Sequence, residues 1–153
     1  MIKFKNNKIT MKKIFFLILL LNFFLNATGK AEENFFKEAK NKYDNKQIED
    51  SKFLFQRNIV FNPKDAKSYL YLAKIYNSEK NESEELKNLK TALQLDPDNE
   101  EAFYMLINIE LEKSNFSEVK DLTKKFEIIC SKLCNKTKEI KEKLVDIEAK
   151  KES

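Results

Sequence analysis

The chain has 153 residues, a formal charge of +4, no histidine, no tryptophan and a single glycine, Gly29. Residues 1–29 hold five lysines and no acid, so residues 30–153, with 24 basic and 25 acidic side chains, are near neutral and offer nucleic acid no electrostatic footprint. Without histidine or a glycine-rich loop there is no Ser-His-Asp or Cys-His pair, no histidine metal site and no phosphate cradle, which argues for a non-enzyme with no cofactor.

The chain opens with a basic stretch, MIKFKNNKITMKK, continues with an apolar one, IFFLILLLNFFL, and reaches small residues in NATGKAEE. Charged, apolar, then small is the order of a secretory signal peptide. The apolar core, residues 14–25, is 12 residues long, whereas a helix needs roughly 20 to span a bilayer. Residues 1–29 are therefore expected to be a signal peptide, cleaved after Gly29 or two residues later after Ala31. Met11 is an alternative start, since MKKIFFLILLLNFFLNATG is a complete signal by itself. No cysteine near the site supports a lipid anchor. The expectation is export to the periplasm or beyond with no stable membrane span afterwards; an uncleaved N-terminal anchor is the alternative.

From about residue 32 the sequence reads as amphipathic helices punctuated at a fixed step. Pro63 and Pro97 are 34 residues apart, each preceded by Asn62 or Asp96 and each closing a helical run, FLFQRNIVF or LKNLKTALQL. A new helix with an early aromatic follows each, Tyr69 and Phe103, and 34 residues before Tyr69 stands Phe35. Ala39 and Ala73, Asn81 and Asn115, and Glu84 and Glu118 share the step. Asn81 with Glu84, and Asn115 with Glu118, fit a capping box that would start the second helix of a pair. Proline disfavours helix in the residue before it and is tolerated where the next helix begins, so Asp96-Pro97-Asp98-Asn99 is a stop and a start in four residues. In the tail, Ile140, Leu144 and Ile147 share one face of a further helix that Asn135 can cap.

A period of 34 with two helices per unit and the phrase Ala92-Leu93-Gln94-Leu95-Asp96-Pro97-Asp98-Asn99 resembles the tetratricopeptide repeat (TPR). The middle unit, 66–99, also carries Tyr69, Leu72-Ala73 and Tyr76. The first, 32–65, matches through Phe36, Ala39, Tyr43, Phe55 and Pro63; the third, 100–133, through Phe103, Leu106, Phe116 and Val119, without a closing proline. Departures are Ile107 where a small residue is usual, Glu85 in place of alanine, and Lys46, Lys80 and Ser114 at turns where glycine is usual. The resemblance implies an all-α fold, a right-handed α-solenoid of three helix-turn-helix repeats spanning 32–133, closed by a C-terminal capping helix in 134–153. Tyr69, Leu72, Leu89, Ala92, Leu93, Phe103 and Leu106 are expected in its core.

The same resemblance implies a concave groove lined by the first helix of each pair, where a protein or peptide partner would lie. By helical phase its residues are Phe36, Lys40 and Tyr43, then Leu70, Lys74 and Asn77, then Tyr104, Asn108 and Leu111. Lys40 and Lys74 recur at the 34-residue step, so their charges would sit side by side and suit an acidic ligand. Phe36, Tyr71, Glu101 and Met105 occupy places where a clamp for chaperone tails would need basic or amide groups, so that ligand is not expected. Cys130 and Cys134, four residues apart at the expected break before the capping helix, are within reach of a disulfide, which an oxidising compartment favours. Their spacing is not that of a Cys-x-x-Cys redox motif, and two thiols are too few for a metal site. The reading is a non-catalytic scaffold or adaptor of the cell envelope; self-association into a homo-oligomer without a groove ligand is the alternative.

Overall fold

A computed structural model describes the backbone of residues 28–152 and the side chains of 35–149; of the expected signal segment 1–29, residues 1–27 lie outside the described residues. Seven helices and no strand occur among these residues: α1 (Thr28–Asp44), α2 (Ile48–Phe61), α3 (Ala66–Ser78), α4 (Glu82–Leu95), α5 (Glu100–Glu112), α6 (Phe116–Ile129) and α7 (Lys136–Glu152). The fold is an all-α solenoid in which α1–α2, α3–α4 and α5–α6 form three hairpins and α7 follows the last. The bond after Gly29 falls within α1, whose described part begins at Thr28.

Two kinds of joint set the hairpin geometry. Within each hairpin, Lys46, Lys80 and Ser114 adopt positive φ, 63°, 57° and 55°. The residue after each donates its N–H back to the last helical turn: Gln47 to the Lys42 carbonyl, Asn81 to Tyr76 and Asn115 to Glu110, each at 2.9 Å. This is the Schellman closure, which glycine accomplishes without the steric strain of a Cβ. Between hairpins, Asn62 and Asp96 stand before the prolines with φ −129° and −135°, outside the helical region, as the proline ring demands. Asp65 and Asn99 then cap the next helices, accepting from the N–H groups of Lys67 at 3.3 Å and Ala102 at 3.0 Å.

Neither expected capping box closes, since the Asn81 and Asn115 backbone N–H groups donate to the Tyr76 and Glu110 carbonyls and not to Glu84 or Glu118; half of one box forms, at Asn81 alone. The Asn81 side chain accepts from the Glu84 N–H at 3.3 Å, but Asn115 makes no side-chain cap bond. Its amide instead donates to the Glu110 carboxylate at 3.0 Å. The corresponding place 34 residues earlier holds Tyr76, which has no carboxylate to draw the amide away.

The core runs the length of the stack. Phe55, Leu72 and Ile75 bury the seam between the first two hairpins; Ala73, Leu89, Ala92 and Ala102 the next; Ile107, Val119 and Phe126 the last. A polar seam also joins the first two hairpins: the Asn58 amide donates to Asp65 at 2.8 Å and to Ser68 at 2.9 Å, and the Ser68 hydroxyl donates to Asp65 at 2.6 Å. Of the expected core residues, Leu72, Leu89, Ala92 and Leu106 are buried, whereas Tyr69, Leu93 and Phe103 are half-buried at the edges of the clusters. The rings and the longer leucine reach the seams between hairpins, where the stack leaves one side of each open. Against the third hairpin, α7 lays Ile140 and Leu144, both buried, with Ile147 beside them. Covering that apolar end is what a solenoid requires of its terminal element.

Candidate functional site

The first helices of the hairpins touch along one face of the molecule. At its N-terminal end, Tyr71 of α3 meets Phe36 and Tyr43 of α1 edge-on, with ring centroids 5.9 and 5.1 Å apart, and stacks on buried Phe55 at 4.9 Å. Lysines flank this aromatic group. The Lys74 ammonium lies 4.7 Å from the centre of the Tyr71 ring and 2.7 Å from the Glu101 carboxylate of α5. Lys40 pairs with Asp44 at 2.6 Å, and this hydrogen bond, with the Tyr71 hydroxyl adding to it, raises the lysine pKa. Lys40 and Lys74 thus gather about one tyrosine, each already holding a carboxylate of the same chain.

Further along, α7 extends the face. The Tyr104 hydroxyl donates to Glu139 at 2.9 Å, and Lys143 donates to Glu139 at 2.7 Å and to the Asn108 side-chain oxygen Oδ1 at 3.5 Å. Lys136 approaches the Tyr104 ring at 5.3 Å and Glu139 at 2.7 Å. Hydrogen bonds from Lys136, Lys143 and Tyr104 hold the Glu139 carboxyl at a pKa of about 2, well below the usual carboxylate range.

Among the nine groove residues expected from helical phase, Phe36, Lys40, Tyr43, Lys74, Tyr104 and Asn108 lie on this face. Leu70 and Leu111 do not offer a surface, being 6% and 3% exposed. Leu70 occupies the repeat position of Phe36 and Tyr104, but its short side chain ends inside the contact with Ala102 and Ala92. Leu111 and Asn77 share a repeat position that meets the second helix of the same hairpin. Leu111 joins the cluster containing Val119; the Asn77 amide donates to both oxygens of Glu85, at 3.0 and 3.1 Å. Glu85 is buried, and burial raises its pKa, with Glu112 and Glu82 adding to the rise and Asn77 opposing it. Asn77 is therefore spent on an internal carboxylate.

Tyr71, Glu101, Glu139 and Lys143 complete the face and were not among the groove residues read from phase. Tyr71 breaks the repeat, with Lys37 and Met105 at the equivalent places, so periodicity carries no signal for it. Glu100 was likewise unmarked, since an acid in a first helical turn reads as a dipole effect. Its carboxylate receives the N–H groups of Ser131, Lys132 and Leu133 at 2.9–3.1 Å, and the Ser131 hydroxyl at 3.1 Å. Those backbone donors, Leu133 first, bring its pKa to about 2. The loop that supplies them is closed by a Cys130–Cys134 disulfide with Cα atoms 5.2 Å apart. Beside it, Lys67 and Leu70 of α3, Glu101 of α5 and Leu133 border a depression of about 540 Å³.

The architecture is that of a TPR-like helical solenoid whose first helices share one face. By sequence, no protein family and no curated protein matches the chain. Solved structures do match. The Yersinia enterocolitica type III secretion chaperone SycD, crystallised with a peptide of the translocator YopD, superposes with a TM-score of 0.68 at 16% identity, over 80% of this chain and 96% of that one. PcrH, in complex with the chaperone binding region of PopD, gives 0.65 at 14% identity, over 80% and 94%. A chain of the CopN–Scc3 complex gives 0.61 at 19% identity, over 80% and 71%. At these identities the likeness is one of fold.

Proposed function

We propose that this protein is a non-catalytic scaffold that holds a peptide or helix of a protein partner along the shared face of α1, α3 and α5. The observation that carries the reading is the half-exposed aromatic group of Phe36, Tyr43 and Tyr71 flanked by Lys40 and Lys74. Such rings give contact area at small entropic loss, and flanking cations select a partner's charge. A partner with an apolar anchor and an adjacent acidic residue would seat the anchor against Tyr71 and displace Asp44 or Glu101 from its lysine. The solved complexes of SycD and PcrH with partner segments support a peptide-binding use of this architecture. The N-terminal segment supports export, so the partner is sought in the envelope; cell fractionation and N-terminal sequencing of the purified chain test that address.

The binding test is crosslinking and recovery of the partner with the native chain and with Tyr71→Ala and Lys74→Glu variants whose helix content is unchanged. At least a tenfold loss of affinity is expected for Tyr71→Ala, the size of an interface hot spot. Undiminished binding by both variants would move the partner off this face. A second reading, self-association, is favoured by α2, where Phe53, Val60 and Phe61 are 61%, 75% and 60% exposed. Arg57 between them lies 4.5 Å from the Phe35 ring, which stacks on Phe61 at 5.6 Å. Sedimentation over a range of concentrations separates the two: a dimer abolished by Phe53→Ser with Val60→Ser would establish the second.

A further inference from the structure

We infer that the Cys130–Cys134 bond is a redox-operated latch on α7, and through it on the C-terminal end of the shared face. Three observations meet in one loop. The disulfide closes a five-residue ring, Cys130-Ser131-Lys132-Leu133-Cys134, lying wholly between α6 and α7. Curled by that closure, the ring turns three consecutive N–H groups toward one point, where the Glu100 carboxylate sits at 2.9–3.1 Å. A concavity of successive amides of this kind is a strong anion seat. Here the anion comes from the first residue of α5, more than thirty residues upstream, so the ring pins the entry of α7 to the start of the third hairpin.

What hangs on the ring is not decorative. The Leu133 and Cys134 carbonyls accept the first N–H groups of α7, from Lys136 at 2.8 Å and Thr137 at 3.1 Å. From that start, α7 delivers Ile140 and Leu144 to the core and Glu139 and Lys143 to Tyr104 and Asn108. Opening the ring leaves Glu100 alone to hold the curl. The loop amides can then turn to water, and the start of α7 loses its fixed place. Cys134 is exposed and Cys130 half-exposed, so a reductant can reach the bond. A dithiol supplies the chemistry: its thiolate attacks one sulfur and expels the other cysteine thiolate, and its second thiol then resolves the mixed disulfide. Two electrons and two protons pass to the protein, giving two thiols and an oxidised dithiol. The latch is read from α7 itself and needs no bound peptide, so it stands or falls independently of the function proposed above.

Hydrogen exchange on the full chain, before and after treatment with dithiothreitol, tests the latch, with thiol titration reporting the state of the bond. Reduction is expected to speed exchange in 136–149 by roughly 30-fold, the loop-closure entropy of a five-residue ring, while α1–α4 stay unchanged. The Cys130→Ser, Cys134→Ser double variant should show the fast pattern with or without the dithiol. Glu100→Gln should speed exchange in the oxidised chain while leaving both sulfurs bridged. Equal exchange in α7 before and after reduction would overturn the latch, as would two free thiols in the untreated chain. Faster exchange throughout α1–α7 on reduction would also overturn it, making the bond a staple of the whole fold.

Discussion

The second and third hairpins have the same frame and opposite fillings. Their helices match in length, 13 and 14 residues in each, and their turns match in backbone form. In the second, Ala73 and Ala92 stand where the third has Ile107 and Phe126, and all four are fully buried. The alanines let α3 and α4 approach closely along most of their length, whereas α5 and α6 do so over a shorter stretch. A second pair differs just as sharply. Asn77 and Glu85 make a polar contact across the second hairpin; the same step forward gives Leu111 and Val119, an apolar one. A repeat frame therefore fixes backbone path while leaving the filling free, and the looser third hairpin relies on α7 and the Glu100 loop to enclose it.

The largest test of this contrast exchanges the fillings. Ile107→Ala should lower unfolding free energy by about 2–5 kcal/mol, because α5 and α6, in close contact over only a short stretch, cannot readily collapse into the space. Ala73→Ile should cost about 1–3 kcal/mol for the opposite reason, pressing apart two helices already in contact. Urea denaturation of the two variants measures both. A neutral Ala73→Ile would mean the second hairpin is not close-packed at that crossing.

A smaller effect, of opposite sign, is expected at the polar pair. Carrying the apolar pair across, as Asn77→Leu with Glu85→Val, removes a buried carboxylate and should stabilise by about 1 kcal/mol at pH 7. Asn77→Leu alone should destabilise by about 1–3 kcal/mol, since it strands that carboxylate without its donor. Acidification separates the hairpins further. Glu85 has a folded pKa raised above 4.5, so its contribution is fully present below that value and is lost as pH rises through the folded pKa. Glu100 and Glu139 are lowered to about 2; their contributions are present above 4.5 and lost as pH falls toward 2. Between pH 4.5 and 2, exchange should therefore quicken first in α7 and the start of α5, while α3–α4 hold. Simultaneous loss in all helices would erase the distinction between the hairpins.

Much of this frame was legible in the residues. The 34-residue recurrence of the prolines, the asparagines and the turn positions marks where six helices begin and end, and Ile140, Leu144 and Ile147 mark the covering face of α7. Side-chain contacts between hairpins were less so. Helical phase could not tell that Leu70 stops inside a contact from which Phe36 and Tyr104 emerge, because the difference is side-chain length and not direction. Nor could it foresee Asn115 turning to Glu110, since a cap competes with any acceptor one turn away. Glu100 acts through backbone donors more than thirty residues distant, so no local pattern announces it, and Tyr71, marked only as a place unsuited to a clamp, meets Phe36 and Tyr43 of the preceding repeat.

The smallest expected effect lies in the joints, where the second and third hairpins should behave alike. Lys80 and Ser114 both hold the left-handed conformation that a Cβ disfavours. Neither turn asks anything of its side chain but to stay clear: Lys80 is exposed and Ser114 half-exposed. Lys80→Gly and Ser114→Gly should each relieve this strain, with a net gain of up to about 1 kcal/mol after the added freedom of the unfolded chain is set against it. Equal gains by thermal melting would show that the frame is one and the same in both hairpins. A gain at Lys80 with a loss at Ser114 would mean the Ser114 side chain supports the third hairpin, and the difference between the two would then reach the backbone itself.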